Sequence, residues 1–472
     1  MKKKIVWVVL LWIALLGSAG CAQKGGEAKT GEVASSIYAE EEAFGQARWQ
    51  GSEESKASEE TQKNTGEETK EGSQEDTQEG SQEDTQKSTG AETQAGTGKE
   101  TQENTQADTD ARQQDQHNTA ETSQPQQMTL LMVGDMLMHT PVTNSGRLED
   151  ESYNYDHLFT HVKEEISGAD VAIVNQEVIL GGTELGLSGY PRFNAAYELG
   201  DSLVNAGFDV VLHATNHALD KGEQGVRNCL AFWEQEHPKI FVAGIHESSE
   251  ARQSDMVIVE EQGIKVAILN YTYSTNGIPK PENAPYLVDM LDKELIKKDV
   301  ALARESADFV IVCPHWGTEY RHESDKSQKN WVKFLADLEV DLVLGTHPHV
   351  IEPVEWVESE NGHKMLVYYS IGNFVNATSG KGDGVADRML GAMAKVVLQR
   401  TQDQSVTIAE YDAIPIVSHV KSGIQQITVY PLSEYTEELA QENEIIRQDS
   451  NFSLDYLKRV WEQVCMVPGD GA

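Results

Sequence analysis

From Gly51 to Gln127 the chain contains no Val, Ile, Leu, Met, Phe, Trp, Tyr or Cys. A segment without large apolar side chains cannot bury enough surface to offset the ~1–2 kcal/mol per residue that ordering a backbone costs. This stretch is therefore expected to be disordered, and a stable fold must come from the rest of the chain. Glu71-Gly-Ser-Gln-Glu-Asp-Thr-Gln78 recurs at once as Glu79–Gln86. No position of the repeat is apolar, so it is low-complexity sequence and not a solenoid unit.

Residues 22–127 hold 24 acidic and 9 basic side chains, while the formal net charge of the 472 residues is −39. Most of the acidity thus lies beyond the tether. So acidic a chain is not expected to bind nucleic acid by neutralising phosphates, nor an anionic membrane through a basic patch.

The first residues read as a targeting segment. Lys2, Lys3 and Lys4 precede an unbroken apolar stretch, Ile5 to Leu16, which is short for a ~30 Å hydrocarbon core. Gly17-Ser-Ala-Gly-Cys21 follows and resembles a bacterial lipobox. Residues 1–21 are expected to be a lipoprotein signal peptide, with lipid on Cys21 holding the protein to the extracellular face of the cell membrane. An ordinary signal peptide or an uncleaved anchor is the alternative; each puts the chain outside the cytoplasm. Residues 22–127 then form a long disordered acidic tether. Cys229, Cys313 and Cys465 are widely spaced and form no disulfide framework and no CxxC metal site. Cys313 ends an apolar run and reads as a small buried hydrophobe.

Residues 128–432 read as one α/β domain, followed by a helical extension over 433–472. Short runs rich in β-branched residues recur at 129–133, 170–174, 209–212, 240–243, 265–270, 308–313 and 341–344. Continuous apolar runs of that length suit strands buried on both faces. Amphipathic helical segments lie between many of them, at 199–206, 223–236, 293–306 and 328–338, as expected of βαβ units. After His349 the pattern changes to successive strands at 365–370, 393–399, 406–411 and 425–429, expected to be antiparallel. Two helices, about 433–447 and 453–464, close the chain. The expected architecture is a sandwich of two mixed sheets flanked by helices.

The candidate chemistry sits at strand ends. Gly134-Asp135 follows the first run and Asn175-Gln-Glu177 the second. His213-Ala-Thr-Asn216-His217-Ala-Leu-Asp220 follows the third. Pro314-His315-Trp316 and Gly345-Thr-His347-Pro-His349 follow the later ones. Ligands of open α/β sheets bind at the carboxyl ends of the strands. Imidazole, carboxylate and amide oxygen together suit transition metals or zinc, not a calcium cage. The candidates are too many for one tetrahedral ion and fit two divalent metals of the Mn, Fe or Zn class sharing a carboxylate. If residues 347–349 are extended, the two histidines point to opposite sides. One metal then takes both only across a bend, and otherwise they serve two metals.

The ordered series Gly134-Asp135, Asn175-x-Glu177, Asn216-His217, His315 and His347-x-His349 resembles the calcineurin-like metallophosphoesterase superfamily. Within it, Asp170–Glu177, Ala214–Gly222, His315–Tyr320, Gly345–His349 and Ser370-Ile-Gly-Asn-Phe374 resemble the CapA family of capsule-synthesis proteins, associated with poly-γ-glutamate. The likeness covers about 129–420. It implies a metallophosphoesterase-like sandwich and a role in capsule biosynthesis or processing. The substrate would be an anionic polymer or phosphoester, cut by a metal-dependent hydrolase. The alternative is a non-catalytic factor working with capsule synthesis or export machinery.

Carried over motif by motif, Glu177 would bridge the metals. Asp135 and one of His347 and His349 would hold the first; Asn216, His315 and the other histidine would hold the second. His217 would be the unligated catalytic histidine. Asp220 would orient it, or else lie solvated at the start of the next helix. Two positions depart from the superfamily pattern. Leu137 stands where its first motif has histidine, so one metal lacks that ligand unless His139 reaches it. Glu177 stands where its second motif has aspartate. Arg192, in Gly189-Tyr-Pro-Arg-Phe193, is a candidate clamp for a substrate anion or a surface salt bridge. Trp316, Glu319 and Tyr320 are expected at the rim, and His139 and Asn373 beside the substrate.

Overall fold

The computed structural model describes residues 126–465. The expected signal peptide with Cys21 and the tether lie outside the described residues, apart from Gln126 and Gln127; so do residues 466–472. Fourteen strands are present among the described residues. In chain order they are β1 (Gln127–Met136), β2 (Val171–Asn175), β3 (Val210–Leu212), β4 (Phe241–Ala243), β5 (Val257–Glu261), β6 (Ile264–Thr272) and β7 (Phe309–His315). Then come β8 (Leu342–Leu344), β9 (Val354–Glu358), β10 (Lys364–Tyr368), β11 (Asn373–Val375), β12 (Leu390–Arg400), β13 (Val406–Val420) and β14 (Ile427–Pro431).

They form two mixed sheets, as the sequence pattern implied. The first runs β14-β13-β12-β1-β2-β3-β4, with β11 also paired to β1; the second runs β5-β6-β7-β8-β10-β9. The parallel centres are β1 to β4 and β6 to β8 with β10, and all but β10 read as unbroken apolar runs. β10 belongs to the strands expected to be antiparallel, but it pairs parallel with β8 and antiparallel only with β9. The antiparallel parts carry the strands whose exposure is mixed. Two strands escaped the sequence reading because they are sheet edges: Val257–Glu261 and Val354–Glu358 each keep acidic residues exposed to solvent. Asn373–Val375 escaped because it offers only two apolar residues, Phe374 and Val375, behind Asn373. The run expected at 406–411 continues to Val420 through Pro415. That proline is tolerated because pairing with β14 begins only at Ile416.

Alternation along β7 shows how the sandwich is sealed. Phe309, Ile311 and Cys313 belong to the main core with the first sheet. Val310 and Val312 belong to a second core beneath Lys293–Ser306 and Lys326–Asp337. Cys313 Sγ reaches across the sandwich to within 4.0 Å of Met132 Sδ. The period of two places His315 on that same inward face. The two helices start where the sequence caps them. Asp292 accepts the Leu295 N–H, and Asp325 forms a reciprocal capping box with Gln328.

Candidate metal centre

Five strand ends converge between the sheets: β1, β2 and β3 from the first, β7 and β8 from the second. Close backbone packing aims each one. At Gly134 an added Cβ would lie 1.9 Å from the Gly372 carbonyl oxygen, so only glycine lets β1 pass that segment. The register between β1 and β2 shifts just there, and the Asp135 N–H donates to Gly372 O at 3.0 Å. Gly345 plays the same part on β8, where a Cβ would lie 2.0 Å from Tyr369 O. Beyond it the chain is not extended. His347 and His349 have φ of 102° and 60°, a region that non-glycine residues adopt at a cost of about 1–3 kcal/mol. The bend brings both rings to the same cluster, their centroids 5.7 Å apart.

Glu177 lies at the middle. It is 1% exposed, and neither carboxylate oxygen has a hydrogen-bond partner. Three imidazole nitrogens surround its Oε1: Nε2 of His349 at 3.7 Å, of His315 at 3.8 Å and of His217 at 4.0 Å. These gaps are too long for hydrogen bonds. They suit donors that share an ion, since metal–N and metal–O bonds near 2.0–2.2 Å put ligand atoms roughly 3–4 Å apart. A buried carboxylate without donors is costly unless a cation answers it. The residues present therefore fit a divalent metal.

Two ligand groups share that carboxylate: Asp135, Glu177 and His349, and Glu177, His315 and His347. His349 is thus the histidine that goes with Asp135. Its Nδ1 lies 3.0 Å from Asp135 Oδ2, while Asn175 donates to Asp135 Oδ1 at 2.8 Å. Asn216 Oδ1 stands 3.0 Å from His315 Nε2, and Thr346 Oγ1 holds His315 Nδ1 at 3.0 Å. A third group, Glu319, His347 and His349, lies at the exposed edge.

Burial dominates the acid–base state here. It raises the Glu177 carboxyl well above the carboxylate range, and the charges of Asp135, Glu319 and Asp220 add to this. It lowers His315 and His347 well below the usual imidazole value, helped by neighbouring histidines. His349 is the exception. Burial pulls it down, but Glu177 and the Asp135 hydrogen bond prevail and lift it to about 10.

His217 is fixed from behind. Its Nδ1 lies 2.7 Å from Asp220 Oδ2, which also accepts the Phe193 N–H at 2.7 Å. Asp220 is buried, so the solvated alternative does not hold. The carboxylate accepts a hydrogen bond from Nδ1–H and leaves Nε2 facing Glu177. The Phe193 ring meets His217 edge-on at 4.7 Å.

Other candidates fall elsewhere. Trp316 is not at the rim: it is buried in the second core, with its Nε1–H donated to Tyr369 O at 2.9 Å. The alternation of β7 explains this, since Trp316 follows His315 and points the opposite way. Asn373 is also buried, and its amide serves protein atoms: Oδ1 lies 3.1 Å from His349 Nδ1, and Nδ2 donates to His349 O and Arg388 O. It positions a ligand candidate and offers no free group to a substrate. Arg192 is exposed, next to Phe193. Leu137 is buried, 5% exposed. His139 packs edge-on against Phe193 at 5.3 Å, and burial with nearby His349, Arg388 and His217 lowers it to about 3. It belongs to neither group around Glu177.

Several residues at the site had no mark in the sequence. Tyr273 stands 4.6 Å from the His347 ring, and Asn276 Nδ2 comes within 3.4 Å of His217. Both lie on the loop after β6, whose end carried no ligand-type signal. Asn270, inside β6, ties the sheets together by accepting the Ala214 N–H at 2.7 Å and donating to Cys313 O at 2.9 Å.

A family model described as bacterial capsule synthesis protein PGA_cap matches residues 129–378. The PGA biosynthesis protein CapA of Bacillus subtilis (strain 168) is 32% identical over 174 residues, 37% of this chain and 44% of that protein. The capsule biosynthesis protein CapA of Bacillus anthracis is 25% identical over 264 residues, 53% of this chain and 60% of that protein. The chain thus spans about half the length of the curated relatives it matches. Among solved structures, the calcineurin-like phosphoesterase YfkN from Bacillus subtilis is similar at 13% identity and a TM-score of 0.35, over 71% of this chain and 100% of that one.

Proposed function

The chain belongs to the bacterial capsule synthesis protein family, and from that premise we propose that it is a metal-dependent hydrolase of the cell envelope. It would act on an anionic capsule polymer of the poly-γ-glutamate type or on a phosphoester, in capsule biosynthesis or processing. One observation carries the reading: a buried carboxylate, Glu177, without a hydrogen-bond donor and ringed by three imidazole nitrogens at 3.7–4.0 Å.

Two divalent metals would be held by Asp135, Glu177 and His349 on one side, and by Glu177, Asn216, His315 and His347 on the other. Such ions polarise the scissile group and lower the pKa of a bound water. The chain's own residues do the rest. Asp220 accepts the Nδ1–H of His217, which fixes the ring and presents Nε2 to the centre. Protonated at both ring nitrogens, His217 would give its Nε2 proton to the leaving group while Nδ1–H stays on Asp220, or in that cationic form steady the charge that develops beside it. Thr346 and Asn373 hold His315 and His349 in place through their other ring nitrogens, as partners behind a metal ligand commonly do.

A non-catalytic role in assembly or export of the polymer is favoured by one feature, the buried Leu137 in place of a histidine. Metal analysis of the purified protein, followed by a panel of phosphoesters and γ-glutamyl peptides, separates the two. Two metals with turnover supports the hydrolase. Two metals without turnover of any substrate supports the assembly role. A protein that takes up no metal on reconstitution overturns both.

We further place the protein outside the cytoplasm, anchored through lipid on Cys21 with residues 22–127 as spacer. No helix among the described residues is long and apolar enough to cross a membrane. Cys21→Ser is expected to move the protein from the membrane fraction to the medium. Retention in the membrane would count against lipid as the anchor.

A further inference from the structure

One half-buried arginine among the described residues has no carboxylate against it. Arg227, Arg252, Arg304 and Arg400, the other half-buried ones, pair with Glu223, Asp289, Asp341 and Asp308 at 2.6–2.9 Å. Arg388 makes no such pair. The Asp387 beside it is engaged by His322 at 3.4 Å and by the Tyr456 hydroxyl at 2.6 Å. Arg388 Nε is buried without a partner, and Nη1 has only a long 3.5 Å contact to Thr378 Oγ1.

Its position is not accidental to the centre. The guanidinium carbon lies 3.6 Å from the centroid of the Tyr320 ring, and that ring lies 5.9 Å from the His349 ring. Asn373 fastens the two sides together: the same amide nitrogen donates to His349 O at 3.0 Å and to Arg388 O at 2.9 Å. An unpaired cation is thus held two short steps from a metal-ligand candidate, in a chain of net charge −39. A guanidinium centred over an aromatic ring can still present N–H groups from its edge, and that planar fork matches a carboxylate or phosphate. No described carboxylate makes an ion pair with Arg388, and Asp387 is committed to the His322 imidazole and the Tyr456 hydroxyl. That leaves Arg388 open to an anion from outside the chain.

We propose that Arg388, stacked on Tyr320, is an anion subsite that takes a side carboxylate of a γ-linked glutamate chain whose adjacent carbonyl lies at the Glu177–histidine cluster. This rests on the hydrolase reading, and it adds a reason for substrate choice. A γ-linked chain carries a free carboxylate on each residue next to the bond in the backbone, so one anion at the arginine sets which carbonyl enters the centre. A neutral chain lacks that handle.

The test compares a γ-linked glutamate pentamer with the same pentamer amidated at its side carboxylates, bound to the metal-reconstituted protein by calorimetry. Wild type is expected to prefer the acid form by about tenfold or more, the range of a charge-assisted contact. Arg388→Ala should abolish the preference, and Arg388→Lys should restore part of it. Tyr320 is 45% exposed. Tyr320→Ala should therefore lower the preference without lowering the melting temperature, even where Arg388→Ala fails to fold. An undiminished preference in both alanine variants, or no preference in wild type, overturns the proposal. So does Arg388-dependent binding of glycerol phosphate with no binding of the pentamer, which would assign the subsite to a phosphate. Metal content of the same samples reports on the hydrolase reading separately: protein without metal defeats that reading, while the acid-to-amide ratio still decides the role of Arg388.

Discussion

The two sheets bring different chemistry to the same cleft. β1, β2 and β3 deliver Asp135, Asn175, Glu177 and Asn216, which are candidate oxygen ligands or their supports, together with His217. β7 and β8 deliver His315, His347 and His349. Burial acts on the two sets in opposite directions, raising the acid Glu177 and lowering His315 and His347. Glu177, His315 and His347 therefore each resist carrying charge alone, whereas at His349 burial is outweighed by Glu177 and Asp135, which raise it. A cation between them answers both, because it neutralises the carboxylate and uses the lone pairs of neutral imidazoles. Neither sheet is a site by itself: the first lacks imidazole ligands for its acids, and the second lacks buried anions among its histidines.

The largest test of that division removes one residue from each side. Glu177→Ala takes away the carboxylate common to both groups and should abolish binding of both metals. The stabilisation by excess metal should vanish with it, since a ligand stabilises the native state by RT ln(1 + [L]/Kd). His347→Ala removes a ligand from one group only and should leave about one metal per chain. Elemental analysis and melting curves with and without metal read both outcomes. Equal losses in the two variants would show that the sheets do not divide the ligands as described.

His217 is the exception to the division, an imidazole on the oxygen-donor sheet. His217→Ala should keep both metals and the melting temperature but lower hydrolysis by ~10²–10⁴-fold, the range of an acid–base group. Loss of metal in this variant would make His217 a ligand. Asp220→Asn keeps the shape and removes the acceptor for the Nδ1 proton. Its expected loss is smaller, on the order of 10–100-fold, as for other partners that orient a functional histidine. An Asp220→Asn protein as active as wild type would remove Asp220 from the mechanism.

The smallest effect concerns the exception on the other side. Glu352 is a buried acid that follows the histidines of the second sheet. One oxygen accepts the Gln328 Nε2–H at 2.6 Å and the other has no partner. Burial lifts this carboxyl from 4.5 to about 8. The folded chain then binds this proton more tightly than the unfolded one does. Its contribution to stability is greatest below about 4.5 and is lost as pH rises to about 8. Glu352→Gln keeps the contact to Gln328 and cannot ionise. The variant should gain a few degrees in melting temperature at pH 9 and little at pH 5. A gain that does not change with pH would show that Glu352 titrates normally and that burial is not what governs the acids of this sheet.

Much of the site was legible because strands buried on both faces leave a plain signature. Their apolar runs stop abruptly, and Asp135, Glu177, Asn216, His315 and the pair His347 and His349 stand just past the stops. The same logic failed for Trp316, which also follows a strand but alternates into the second core. It failed for Asn373, whose amide is turned inward onto His349. Arg388 and Tyr273 gave no signal, since Tyr273 reaches the centre from a loop, Arg388 lies in a short 3-10 helix before β12, and both act through partners distant in sequence.

The sequence alone determined which residues could be strands, where those strands end and which donor types stand there, because these follow from local hydrophobicity and side-chain chemistry. Its low-complexity stretch likewise marked off where a core could not form. Tertiary structure alone decided that the strand ends belong to two facing sheets, that His349 goes with Asp135 and His347 with His315, and that Arg388 is left without an acid. Those facts depend on sheet order, on the left-handed bend at His347 and His349, and on contacts between residues up to 214 positions apart. Distances across a sandwich are set by packing between its layers, and no local pattern of side chains encodes them.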